Sequence, residues 1–65
     1  MKVNDIEYRI AWKRFKKGSS FFVPCIRLEE GIESVKAVTR RLGYRVGIKV
    51  VIEDGIKGLR VWRTK

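Results

Sequence analysis

The chain has 65 residues, with sixteen Lys and Arg against seven Asp and Glu, no histidine, one cysteine and a net charge of +9. That length allows a single domain, residues 1–65, and 45% apolar with 35% charged residues excludes a disordered chain. One cysteine excludes an internal disulfide, the lack of histidine leaves no zinc set, and a longest apolar run of three residues excludes a membrane-spanning helix.

A domain this small buries only about 60% of the surface its unfolded chain exposes, so stability is marginal. Charge far from zero repels itself, and an anionic partner is its natural explanation. The plainer reading is a charged surface that keeps the protein in solution. Cys25, set between apolar neighbours, reads as a buried small hydrophobe in a reducing compartment, with a reactive or ligating thiol as the other option. With no signal peptide in view, a cytoplasmic setting is expected.

Residues 3–15 support two readings. Ile6, Tyr8, Ile10 and Trp12 alternate as on a strand that would pair with Phe21–Ile26 across a Lys16–Ser20 turn. The same stretch offers Asn4 and Glu7 at capping-box spacing, with Tyr8, Ala11, Trp12 and Phe15 on one helical face. The strand is preferred. Gly18-Ser19-Ser20 is a turn, and Phe21 to Ile26 is a strand that Pro24 confines to an edge or a bulge.

Leu28, Ile32, Val35, Val38 and Leu42 form the apolar stripe of a helix of about four turns. Glu29, Glu30 and Glu33 suit its start, and Arg40 and Arg41 its end. Gly43 stands where a left-handed C-terminal cap is needed, and Gly31, on the stripe, permits close approach to a sheet. Val46, Ile48, Val50 and Ile52 then alternate with Gly47, Lys49, Val51 and Glu53. Asp54-Gly55 is a hairpin turn, with Lys57 and Gly58 able to widen the loop. Leu59, Val61 and Arg63 alternate with Arg60, Trp62 and Thr64 on the return strand. The expected fold is α+β, a small antiparallel sheet with one packed helix, in the order ββαββ.

Little here can do catalysis. No histidine is present, the carboxylates sit where helix and turn structure explain them, and Ser19 and Ser20 lack a base. No enzymatic activity and no cofactor are expected. The cations, by contrast, are segregated. Six fall between Arg9 and Arg27, five between Lys36 and Lys49, and four between Lys57 and Lys65, with no acid inside any of these runs. Such runs suit a phosphate backbone.

The candidate contacts are Lys13, Arg14, Lys16, Lys17, Lys36, Arg40, Arg41, Arg45, Lys49, Arg60, Trp62 and Arg63. Lys13–Lys17 also fits an ordinary solvated turn, and Arg40 and Arg41 partly serve the helix dipole. Lys49, Arg60 and Trp62 should share the sheet face turned away from the helix. An exposed tryptophan between arginines there can stack on bases, although such a residue is more often core or partner interface.

The stretch Gly18-Ser19-Ser20-Phe21-Phe22-Val23-Pro24, the helix end Arg40-Arg41-Leu42-Gly43 and the closing Gly58-Leu59-Arg60-Val61-Trp62-Arg63 resemble small, largely uncharacterised bacteriophage-encoded proteins. The resemblance covers residues 18–63. It implies a viral origin, hence a host-cell cytoplasm, and a compact α+β module, with no activity to carry over.

Two partners follow from these readings. One is nucleic acid, DNA or RNA, held mainly through its backbone. The other is a host protein, inhibited or redirected, with Trp62, Trp12 and Phe22 as anchors. A homodimer through an exposed sheet edge is compatible with both. A membrane-surface role is remote, because the helix's apolar stripe is needed for the core.

Overall fold

The computed structural model describes residues 1–65. In chain order the strands and helix are β1 (Lys2–Val3), β2 (Ile6–Glu7), β3 (Ser20–Pro24), α1 (Leu28–Arg41), β4 (Val46–Glu53) and β5 (Ile56–Arg63), with a 3-10 turn at Trp12–Arg14. The α+β class is as expected, with α1 laid on a three-stranded antiparallel sheet ordered β3-β5-β4.

Turn chemistry fixes the register. Asp54 and Gly55 both have positive φ, +52° and +77°, the condition for a two-residue type I′ turn whose twist matches the flanking strands. β4 and β5 therefore pair along their full lengths, from Glu53 opposite Ile56 to Val46 opposite Arg63. Lys57 and Gly58 belong to β5 and do not widen the loop. Pro24 ends β3 on an edge of the sheet, where its missing N–H costs no ladder bond.

The preferred strand over residues 3–15 is not formed. β3 takes β5 as its partner, from Ser20 opposite Trp62 to Pro24 opposite Gly58. The N-terminal segment instead makes a two-stranded ribbon, turned by Asn4 and Asp5 at φ +49° and +66°. The 3-10 turn follows. In a turn with three residues per revolution, Trp12 and Phe15 fall on one side, and both pack on the core while Lys13 and Arg14 stay exposed.

The core is Val3, Phe15, Val23, Cys25, Val35, Leu59 and Val61. Along α1 the most buried line is Gly31, Val35 and Thr39. Leu28 and Ile32 flank it, while Leu42 has rotated out to solvent. A Cβ on Gly31 would overlap Cys25 Sγ and come within 3.2 Å of Leu59 Cδ1, so glycine here permits the helix to lie this close. Thr39 Oγ1 donates to the Val35 carbonyl at 2.9 Å, which satisfies a buried hydroxyl within the helix.

Both ends of α1 are secured. At the C-terminus Gly43, at φ +79°, donates to the Arg40 carbonyl, and Tyr44 donates to the Thr39 carbonyl at 2.9 Å. That pair of bonds is a Schellman motif. At the N-terminus Arg27 offers no side-chain cap. The ribbon instead holds the segment that leads into the helix: Asn4 Oδ1 accepts from the Ile26 and Arg27 amides at 3.1 and 2.7 Å and from Cys25 Sγ at 3.4 Å.

Candidate nucleic-acid interface

Each long element reverses direction relative to the one before it. β3 runs away from the Lys16–Ser20 end of the molecule, α1 returns to it, β4 leaves, and β5 comes back. One pole therefore gathers the 3-10 turn, the start of β3, the end of α1, the start of β4 and the end of β5. Backbone bonds tie these segments together: Gly18 N–H donates to the Arg63 carbonyl at 2.8 Å and Thr64 N–H to the Arg45 carbonyl at 2.8 Å. The opposite pole holds the ribbon, the start of α1 and the β4–β5 tip.

This alternation brings part of each of the three acid-free runs to one acid-free pole, while Arg27 and Lys57 stay at the other. Lys13, Arg14, Lys16, Lys17, Arg40, Arg41, Arg45, Arg63 and Lys65 belong to its segments. All seven carboxylates belong to the ribbon, the first half of α1 and the β4–β5 tip. Of the sixteen Lys and Arg side chains, only Arg27 and Arg60 lie within ion-pair distance of a carboxylate. The other fourteen form no ion pair.

An aromatic cluster stiffens the basic pole from within. Trp12, Phe15, Phe21 and Tyr44 meet at centroid distances of 5.0–6.2 Å, mostly edge to face. Between Tyr44 and the start of β4, Lys36, Arg40, Arg45 and Thr64 line a shallow groove, so two of the acid-free runs meet in one concavity.

The structure divides the candidate contacts. Lys13, Arg14, Lys16, Lys17, Arg40, Arg41 and Arg45 are exposed at the basic pole, with Lys36 one helical turn behind them. Arg63 is there too, but its guanidinium is spent inside the fold. Nη1 donates to the Phe15 carbonyl at 2.8 Å, Nε donates to the Lys65 carbonyl at 3.0 Å, and the group stacks 3.8 Å from the Tyr44 centroid. It faces the helix side, away from Arg60 and Trp62.

Lys49, Arg60 and Trp62 do share the open face of the sheet. Trp62 lies between Ser20 and Gly47 on the neighbouring strands, two small residues that leave its ring partly exposed. Phe22 lies on the same face, its ring over Gly58, where a Cβ would come within 2.8 Å of Phe22 Cζ. Arg60 is less available, since Glu53 holds it at 3.3 Å. Trp12, embedded in the aromatic cluster, is not a free anchor. Lys65, outside the twelve candidates, joins the basic pole; membership of the third acid-free run was its signal.

At the acidic pole Ile6, Tyr8, Pro24, Ile26 and Ile56 line an apolar groove, and Ile26 is 90% exposed. No helix is long and apolar enough to cross a membrane. No protein-family model, curated protein or solved structure matches the chain.

Proposed function

We propose that this protein binds nucleic acid through the phosphate backbone, using the basic pole. The observation that carries the reading is convergence: five chain segments bring Lys and Arg to one end of a body 28 Å long, with every carboxylate elsewhere. A polyanion neutralises that end and relieves its self-repulsion. Trp62 and Phe22, on the open sheet face beside Lys49, offer stacking surface for unpaired bases. Base-specific readout is not part of the proposal, because Asn4, the one side-chain amide in the chain, is committed to holding the start of α1. The viral origin implied by the resemblance of residues 18–63 would put this activity in the host-cell cytoplasm.

The test is binding to labelled duplex DNA, single-stranded DNA and RNA across a salt series. Contact with about six phosphates weakens duplex binding roughly a thousandfold between 50 and 200 mM salt. Reversing Lys16, Lys17 and Arg41 to Glu should abolish binding, while reversing Lys2 and Lys57 at the other pole should leave most of it. A flat salt response, or equal loss from both sets, rules the basic pole out.

A second reading rests on the acidic pole, whose exposed isoleucine groove suits an apolar segment of a host protein. Retention of a stoichiometric partner from nuclease-treated host lysate, lost when Ile26 becomes Asp, would favour it.

A further inference from the structure

We propose that the free edge of β4 pairs antiparallel with β4 of a second copy, with Val51 on the two-fold axis, to make a six-stranded sheet. The two edges of the sheet are not alike. β3 is five residues long and ends in Pro24, the kind of edge that resists strand addition. β4 is eight residues long, contains no proline, and carries Val50 and Ile52 at 50% and 71% exposure.

The backbone dictates which groups are free. Arg45 bonds to Thr64 and Lys65 across the β4–β5 ladder, so alternation turns the amides and carbonyls of Val46, Ile48, Val50 and Ile52 outward. A two-fold antiparallel pair must match these residues with each other, which leaves few registers. Centred on Val51, Val50 exchanges hydrogen bonds with Ile52 of the second copy, and Ile52 with its Val50. The four exposed apolar side chains then meet on the helix side of the sheet.

On the open face the same register sets Lys49 directly opposite Glu53 of the second copy, twice by symmetry. Centring on Lys49 sets Arg45 against Glu53 but opposes the two lysines on the axis, and centring on Val50 sets Lys49 against Val51 and Glu53 against Gly47. Of these, the Val51 axis is the one that sets Lys49 against Glu53 and joins the two most exposed apolar side chains of β4, Val50 and Ile52, with no like charges opposed on the axis. It also keeps like charge apart, because β4 starts at the basic pole and the two basic poles then point to opposite ends of the dimer. The occupant is therefore a second copy of this chain, and the inference does not depend on nucleic-acid binding.

Sedimentation of the full chain tests it. At about 100 μM the expected mass is twice the 7.6 kDa chain. Ile52→Pro removes one outward amide without touching the β4–β5 ladder, and Val50→Lys sets a charge in the apolar contact. Each should sediment at the single-chain mass, with circular dichroism reporting the fold. Val51→Cys should form an intermolecular disulfide under oxidised glutathione, since opposed non-bonded residues have Cα atoms about 4.5 Å apart; Lys49→Cys and the parent chain should not. A single-chain mass for the parent at 1 mM, or dimers that survive both edge variants, overturns the proposal. Crosslinking through Lys49→Cys as fast as through Val51→Cys overturns the register.

Discussion

Gly31 and Cys25 form a contact that neither residue explains alone. Alanine at position 31 gains about 1 kcal/mol of helix propensity, but its methyl would occupy the space of the Cys25 sulfur. Overpacking costs about 1–3 kcal/mol, so Gly31→Ala should destabilise the fold by about 1 kcal/mol in urea unfolding. Removing the sulfur as well, with Cys25→Ala, should return part of that loss. Strictly additive effects would mean that the two side chains do not compete. Arg63 teaches a related lesson about charge. Its bonds to two carbonyls and its stacking on Tyr44 make Arg63→Ala a stability variant, costing about 1–2 kcal/mol. Arg41, exposed and without an ion pair, should behave oppositely. Arg41→Ala should leave the urea midpoint in place and reduce the salt slope of nucleic-acid binding by about 1.

Among the elements, those whose signals are local were legible in the sequence. The C-terminal hairpin carries alternation on both arms and Asp54-Gly55 between them, and it forms with the expected faces. The helix end at Gly43 and the edge position of the Pro24 strand follow from backbone chemistry that a glycine or proline announces by itself. The N-terminal third was not legible in this way. Its alternating Ile6, Tyr8, Ile10 and Trp12 satisfy a strand pattern, but the open edge of β3 is only five residues long and ends in Pro24, a poor ladder for another strand to join. What decides the segment is tertiary: Val3, Trp12 and Phe15 cover open core, and Asn4 serves a helix more than twenty residues away.

That role of Asn4 is separable by mutation. Asn4→Ala loses both the acceptor for three donors and a side chain tolerant of positive φ, an expected cost of about 2–3 kcal/mol. Asn4→Gly retains the backbone conformation and should recover only about 1 kcal/mol of it. Full recovery by glycine would assign the residue to the turn alone. Hydrogen exchange should then show the Ile26 and Arg27 amides as protected as in the parent.

At the scale of the molecule, the charge pattern could be read as runs but not as a place. Parts of three acid-free runs meet at one pole only because helix and strands alternate direction, a property of topology that no composition count contains. The same geometry gives the proposed dimer its shape. With Val51 on the axis, residue 46 of one copy lies ten positions along the strand direction from residue 46 of the other, about 33 Å at about 3.3 Å per residue. One turn of B-form duplex is about 34 Å, so two basic poles at that spacing can engage phosphates one turn apart. A duplex of about 20 base pairs should then bind at least tenfold more tightly per site than one of 8 base pairs, because the second pole binds at high effective concentration. Ile52→Pro changes no charge, so it should erase this length dependence while leaving the 8-base-pair affinity intact. Equal length dependence in the parent and in Ile52→Pro would separate the two proposals, leaving the basic pole as the binding surface and removing the dimer from the binding event.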